Sequence, residues 1–219
     1  MVKNKEQSKI TFFAIGTAGL VAFALEFLIL QCEQFIYDKN YYKFTITESI
    51  VHWVLICVVW GMIGLVMFYV AERVYKFDAA KRKNLPSIKG WIFCALLIAV
   101  SVALKLFVWE DFKILHDFRN SGWFQFIFQY VYYLFESFMI VLSVTFFQEA
   151  FEHCFKKEYI PWGGIVLALT WGLSHIVTQS SVTVGLAYTL IALLFGICYV
   201  SAKKNLYISY ILITLMFLL

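Results

Sequence analysis

The stretch SIVHWVLICVVWGMIGLVMFYVA, residues 49–71, contains no Asp, Glu, Lys or Arg. A helix must present about 20 mainly apolar residues to cross the roughly 30 Å hydrocarbon core of a bilayer. This stretch meets that length, so it predicts a transmembrane helix.

Six further apolar segments follow the same rule, and their number indicates the architecture. They cover residues 10–31, 90–109, 123–148, 162–178, 182–201 and 205–219. The sequence therefore predicts an all-α, polytopic bundle of about seven transmembrane helices, forming a single integral membrane domain over residues 1–219. Within it, residues 1–122 supply three N-terminal spans and residues 123–219 supply a core of four spans.

The composition excludes an ordinary soluble domain and a nucleic-acid-binding protein. Hydrophobic residues make up 62% of the 219 residues and charged residues only 15%, whereas soluble domains are near half apolar and a quarter charged. The net charge of +4 is modest, and the lysines form short clusters between apolar segments. Membrane lipids are thus expected partners and nucleic acid is not. The five cysteines include no CxxC pair, and we interpret them as small packing residues, with no cofactor.

The distribution of Lys and Arg predicts the orientation. Thirteen lie before the first span or in the second, fourth and sixth connections, against four in the alternate connections. Since basic residues accumulate on the cytoplasmic side, the N-terminus is expected in the cytoplasm. An odd number of spans then places the C-terminus outside. The Lys- and Phe-rich, Pro-poor composition suggests a multi-pass protein of a bacterial plasma membrane.

Ionisable residues at membrane depth are costly and are candidates for function. Glu26 and Lys105 are expected at similar outer depth and could pair with each other. Glu136 could accept a hydrogen bond from a tyrosine or pair with Lys105. We interpret these three mainly as structural, place His52 at the outer interface, and assign no role to His116 in an outer loop.

The fourth and fifth spans carry a denser polar pattern. Glu149 and His153 are four residues apart and share a helix face, and Gln148 and Glu152 share the adjacent face. In the fifth span, Gly164, Ala168 and Gly172 form a small-residue ridge suited to close helix contact. Trp171 and His175 lie along nearly the same stripe, so His175 is expected to face a helix interface.

Glu149 and His175 could meet in mid-membrane if tilt or helix offset closes the gap between their depths. A carboxylate and an imidazole that face each other in a dry cavity can activate a water molecule. The alternatives are a buried Glu–His hydrogen bond that only joins two helices, or a metal site formed by Glu149, His153 and His175.

The motifs QEAFEH, residues 148–153, and WGLSH, residues 171–175, resemble two signatures of the CAAX endopeptidase and bacteriocin-processing (CPBP, Abi) intramembrane proteases. That family carries EExxxR, FxxxH and HxxxN on successive helices. The stretch GLAYTLIALLFGICYVSAKKNLYIS is similar to the family's link to its third motif. The resemblance covers roughly residues 124–219.

The resemblance implies that Glu149 and His175 activate water against a membrane-associated peptide or lipidated peptide. Gln148, Glu152, His153 and Trp171 would support them. The chain departs from the family where Gln148 replaces the first glutamate and His153 replaces the arginine. The third motif falls on ITLMF, residues 213–217, without His or Asn. Hydrogen bonds from the last helix could come from Ser209, Tyr210 or Thr214.

Three functions follow from these patterns. The first is an intramembrane endopeptidase with Glu149 as base and His175 as its partner. The second is a catalytically inactive relative that binds a membrane peptide, in immunity or export. The third is a small transporter with Glu26, Lys105, Glu136 and Glu149 along a polar path.

Overall fold

The structure is a computed structural model that describes residues 2–74, 76–82 and 84–219, with side chains from residue 11 onward except at residue 74. The side chains of Lys3, Lys5, Lys9 and Lys83, which contribute to the orientation argument, lie outside the described residues. Helix accounts for 85% of the protein, and the described ranges contain no strand. The expectation of an all-α fold is confirmed.

Seven helices follow one another along the described chain, and they match the seven predicted segments. They are α1 (Val2–Tyr37), α2 (Ile46–Tyr69), α3 (Ile88–Trp109), α4 (Lys113–Phe155), α5 (Trp162–Thr178), α6 (Val182–Ser201) and α7 (Leu206–Leu218). The first four and α6 are long and apolar enough to cross a membrane, which is consistent with a membrane protein. The shorter α5 and α7 are apolar as well.

The fourth helix is the centre of the bundle. Residues 139–150 are buried without interruption, and α4 packs against α1, α2, α5 and α7. A helix that is buried all round has no need of an amphipathic pattern. This explains why the stretch MIVLSVTFFQEA, residues 139–150, mixes apolar and polar residues without helical periodicity.

A sharp bend at Gly122 separates the central part of α4 from a short N-terminal arm, residues 113–121. Gly122 has φ 67° and ψ 165°, a combination that is essentially restricted to glycine. The predicted span starting at residue 123 therefore begins where the chain turns. The arm folds back over the bundle, with Lys113 above the Tyr133 ring at 3.9 Å.

The bundle has two distinct ends. We call the end with the connections 76–87, 156–161 and 202–205 the Lys-rich end, and the end with the connections 38–45, 110–112 and 179–181 the Lys-poor end. At the Lys-rich end Asn205 donates a hydrogen bond to the Asn84 carbonyl at 3.2 Å. At the Lys-poor end Thr45 and Glu48 form a capping box at the start of α2.

The small-residue ridge of α5 permits close helix contact, as predicted. A Cβ atom at Gly164 would lie 2.6 Å from the Gly196 Cα of α6, and one at Gly172 would lie 2.7 Å from the Thr189 Cα. Ala168, between them, is buried. The backbones of α5 and α6 therefore touch along the whole ridge, which fixes the position of α5.

Replacing Gly164 with alanine is expected to lower the thermal midpoint of the protein in detergent by several degrees. Alanine favours a helix by roughly 1 kcal/mol over glycine, but its methyl group would force two backbones apart, and overpacking costs about 1–3 kcal/mol. The matched control is Gly61→Ala, whose Cβ would meet only the movable Phe135 ring, at 3.2 Å. Equal midpoints for the two variants would contradict the close α5–α6 contact.

Candidate functional site

The register of α4 against α5 determines where their polar side chains lie. The two helices are joined by residues 156–161. Near this connection the Gln148 side-chain carbonyl accepts a hydrogen bond from the Gly163 backbone N–H at 3.1 Å. Further along, the Trp171 indole N–H donates to the Glu136 carboxylate at 3.2 Å. Glu136 thus lies level with Trp171, about 18 Å along the helix from Gln148 at 1.5 Å per residue.

Glu149 is buried at the Lys-rich end, where both of its oxygens accept hydrogen bonds from Arg82. The Arg82 Nη1 bonds Oε1, and Nη2 bonds Oε2 at 3.1 Å. Burial, the largest effect, opposes the guanidinium charge, but the hydrogen bonds and the charge of Glu149 outweigh it and raise the pKa of Arg82. The Glu149 carboxylate is therefore paired with Arg82, a loop residue to which the sequence analysis gave no role at the site.

The neighbours of Glu149 hold the same end of the bundle together. The Gln148 amide donates to Glu152 at 2.6 Å and to the Ile160 carbonyl at 2.8 Å. Lys204 donates to Glu152 at 2.6 Å. Gln148 and Glu152 share a face of α4 as predicted, and their partners tie α4 to the 156–161 and 202–205 connections.

The structure does not bring Glu149 and His175 together. His175 lies one turn beyond Trp171, and it lines a cavity whose walls do not include Glu149. The two residues are roughly 20 Å apart along the bundle, because α5 has advanced thirteen residues from Trp162 when it reaches His175. The offset between α4 and α5 therefore increases the distance between Glu149 and His175, whereas the sequence analysis allowed for an offset that would bring them together.

The alternative metal set does not form either. His153 stacks on the Phe12 ring at 5.6 Å between centroids, far from His175 in the cavity. In the part of the chain that the structure describes, no group of three or more His, Cys, Asp or Glu side chains could hold a metal ion.

A cavity of about 700 Å³ extends from the Lys-poor end into the bundle. We call it the polar cavity. Its ionisable lining residues are Glu26, His52, Lys113, His116, Asp117, Glu136 and His175, and its aromatic lining residues include Phe23, Tyr41, Trp53, Tyr132, Tyr133, Trp171 and Tyr188. Three carboxylates therefore share this space with His175, those of Glu26, Asp117 and Glu136. Glu26 and Glu136 were both interpreted as structural.

His175 is held in a defined orientation at the wall of the polar cavity. Its Nδ1 lies 2.8 Å from the Trp171 carbonyl, and its ring stacks on Tyr188 at 4.3 Å between centroids. A carbonyl can only accept, so Nδ1 carries the hydrogen and the neutral ring keeps a lone pair on Nε2. Trp171 thus contacts both groups, through its backbone to His175 and through its indole to Glu136. It lies in a π-helical turn, Ala168–Gly172, a feature frequent at functional sites.

A second group of polar residues lies across the polar cavity, on α1 and α2. His52 Nδ1 is 2.5 Å from Glu33, and its Nε2 is 3.9 Å from Glu26. The Tyr132 hydroxyl donates to Glu26 at 2.5 Å. His52 is buried, 2% exposed, and its contacts with Glu33 and Glu26 give it a role that an interfacial position alone did not predict. The seven-residue spacing of Glu26 and Glu33, two helical turns, was the signal that could have revealed this group.

The mouth of the polar cavity is formed by the arm of α4 and the short turn Tyr41–Lys43. Lys113 and Asp117 form an ion pair of 2.6 Å on the arm. Burial and then the Glu26 carboxylate raise the pKa of Tyr41 to about 12, so its hydroxyl stays protonated at neutral pH. His116, expected in an outer loop with no role, lies on this arm and lines the polar cavity.

The partners of Lys105 and of the hydroxyl residues in the last helix differ from the predicted ones. Lys105 does not pair with Glu26 or Glu136; its Nζ donates to the Met216 and Phe217 carbonyls at 2.8 and 3.1 Å. It therefore caps the C-terminal end of α7. The Tyr210 hydroxyl donates to the Leu134 carbonyl at 3.2 Å. Ser209 and Thr214 are buried, and none of these three hydroxyl residues lines the polar cavity.

Taken together, the fold and site define an apolar helical bundle with one polar cavity open at its Lys-poor end. No protein-family model matches the chain, and no curated protein or solved structure matches it either.

Arg82→Ala is expected to destabilise the protein more than Glu149→Ala. The first variant leaves a carboxylate that is 5% exposed without its partner, whereas the second leaves an Arg82 side chain that is 34% exposed and can reach water. Removing one partner of a buried pair costs about 3–5 kcal/mol, and we expect Arg82→Ala to approach that range. Thermal unfolding in detergent measures the order, and the double variant should recover part of the loss. An unchanged midpoint in Arg82→Ala would contradict a stabilising role for the pair.

Proposed function

We propose that the protein is a membrane-embedded binding protein whose polar cavity takes a ligand with a positively charged amino group. The observation that carries this proposal is the pair of carboxylates, Glu26 and Glu136, that face one cavity without an Arg or Lys partner. Among the residues with described side chains, no Lys or Arg nitrogen lies within ion-pair distance of either one.

The charges around the polar cavity favour a cation. Lys113 is paired with Asp117, which reduces the positive charge that it offers to the two glutamates. His52 adds at most one positive charge, yet it lies between Glu33 and Glu26 and so faces two carboxylates. The surroundings are therefore short of positive charge. Glu136 is 7% exposed, and a buried carboxylate without a counter-charge is costly. A bound ammonium group would remove that cost.

The walls of the polar cavity also suit an amine. Trp53, Tyr132 and Trp171 line the polar cavity together with the two glutamates, and cations bind aromatic rings by about 0.5–2 kcal/mol. The volume of about 700 Å³ lies within the range of small-molecule sites, roughly 300–1,000 Å³. The amino terminus of a peptide has the required chemistry, which agrees with the expectation of a membrane peptide as partner.

The orientation completes the proposal. With all seven helices across a bacterial plasma membrane and the Lys-rich end in the cytoplasm, the polar cavity opens to the outer side. The ligand then arrives from outside the cell, while the ion pairs of Arg82 and Lys204 close the opposite end.

A second candidate is a hydrolase of the kind that the family resemblance implies, with Glu136 in place of Glu149. The observation that favours it is the lone pair on His175 Nε2 in the cavity that holds Glu136. A carboxylate and an imidazole so placed could activate water against a bound peptide. Mass spectrometry of a peptide incubated with the protein distinguishes the two, since binding alone yields no fragments.

Glu136→Gln is expected to weaken binding of phenethylamine about tenfold to a hundredfold. A hydrogen bond to a charged group contributes about 1.5–3 kcal/mol, and about 1.4 kcal/mol corresponds to tenfold in affinity. Calorimetric titration in lipid nanodiscs measures the change, with phenethyl alcohol as the neutral isostere. The matched control is Glu110→Gln, an exposed carboxylate at the same end outside the cavity. Equal binding of amine and alcohol, or full amine affinity in Glu136→Gln, would contradict the proposal.

The proposed orientation predicts the labelling of two introduced cysteines in a variant without native cysteines. Glu110→Cys at the Lys-poor end should react with a membrane-impermeant maleimide in intact cells. Glu158→Cys at the Lys-rich end, where the side chain is 81% exposed, should react only after permeabilisation. The reverse pattern would place the polar cavity on the cytoplasmic side.

A further inference from the structure

A second depression, which we call the apolar groove, lies on the outer surface between α2 and α4. It has a volume of about 470 Å³, and polar atoms contribute almost nothing to its lining. The lining residues are Trp53, Val54, Cys57, Val58, Gly61, Met62 and Leu65 of α2, with Ile127, Phe128, Val131 and Phe135 of α4. Both helices belong to the set that is apolar enough to cross a membrane. The groove therefore faces the hydrocarbon of the bilayer.

The length of the apolar groove matches one leaflet of a membrane. From Trp53 to Leu65 the α2 helix advances about 18 Å, and half of the hydrocarbon core is roughly 15 Å. Trp53 lines the end nearest the Lys-poor side. Gly61 deepens the middle, because its missing side chain lets the Phe135 ring lie against the α2 backbone.

The apolar groove and the polar cavity share a wall. Trp53 lines both, and its neighbour His52 lines only the polar cavity. On α4, Phe128 and Val131 face the groove, while Gln129 and Tyr132 face the cavity. A molecule lying in the groove with its polar end at Trp53 is thus beside a wall of the polar cavity.

We infer that the ligand of this protein is an amphiphile, with its hydrocarbon chain in the apolar groove and its amino group in the polar cavity. The inference rests on the proposed function, because the cavity supplies the amine site. It extends that function by naming the ligand class, a single-chain amine or an amine-bearing lipid of one leaflet.

The chemistry of the apolar groove selects a hydrocarbon chain over an extended peptide segment. A peptide backbone needs partners for its N–H and C=O groups at membrane depth, and the groove lining offers almost no polar atoms. A hydrocarbon chain needs no such partners. Its only requirement is a channel of matching length, which Trp53 to Leu65 provides.

The test compares two amines on two variants in nanodiscs. Val58→Trp places a bulky side chain in the apolar groove at a position that is 52% exposed, and Val66→Trp, 59% exposed on the same helix outside the groove, is the matched control. Phenethylamine should bind wild type and both variants equally. Dodecylamine should bind Val58→Trp about tenfold more weakly than Val66→Trp, the equivalent of displacing roughly two methylene groups.

A second measurement reads the position of the chain directly. Dodecylamine with a diazirine near its chain end is cross-linked to the wild-type protein, and mass spectrometry should map the adducts to the groove residues of α2 and α4. The matching diazirine-bearing alcohol should give far fewer adducts there.

The outcomes separate the two proposals. Phenethylamine binding with equal dodecylamine affinity in both tryptophan variants would overturn the groove and leave the amine cavity intact. No binding of either amine to wild type would overturn the proposed function itself. Equal adducts from amine and alcohol would reduce the groove to a general lipid contact, and covalent dimers would show that a second copy of the chain covers it.

Discussion

The antiparallel register of α4 and α5 is the constraint on which the polar architecture depends. Gln148 fixes it at one end by accepting from the Gly163 N–H and by donating to the Ile160 carbonyl. The contact between Gly164 and Gly196 then holds α5 against α6. A side chain at either glycine would push α5 away from α6 as a rigid unit, and Trp171 and His175 would move with it. The position of the imidazole in the cavity is thus set by contacts about 18 Å away along the helix.

This register divides the membrane-depth charges into two groups with different electrostatics. At the Lys-rich end the buried Glu149 is paired with Arg82, and the half-buried Glu152 is paired with Lys204. Such pairs satisfy their own charges, and they join loops and helices without needing a ligand. At the Lys-poor end Glu136 accepts only a neutral indole N–H, and Glu26 accepts a tyrosine hydroxyl. The difference in counter-charge, more than the presence of acidic residues, distinguishes a structural cluster from a candidate binding site.

The helices could be predicted from the sequence, but the partners of the polar residues could not. Apolar length alone located all seven helices, and α6 was predicted at its observed bounds, because hydrocarbon thickness sets a length that composition reveals. The α5 glycine ridge was also predictable, since small residues four apart share a face. Arg82 was not predictable as the partner of Glu149, because 67 positions separate them and the path of the 76–87 connection determines their contact. The proximity of Glu136 and His175 was not predictable either. Their relative depth in the bundle depends on how far α4 extends beyond Glu149 before it ends.

The ionisable residues of the polar cavity are stabilised inside an apolar bundle by the hydrogen bonds that the protein supplies to them. The ionisable residues at its inner wall bond neutral groups: Trp171 for Glu136, Tyr132 for Glu26, and the Trp171 carbonyl for His175. Glu26 also lies 3.9 Å from His52. These bonds satisfy one lone pair or one proton each, while a carboxylate offers about four acceptor sites. The remaining acceptor sites belong to two residues that line the cavity. Buried polar groups in that state favour a partner that brings several donors at once, and an ammonium group brings three. The hydrogen-bond acceptor sites of Glu26 and Glu136 are only partly filled by the protein. These unfilled sites are the physical reason to connect this fold with a cationic ligand.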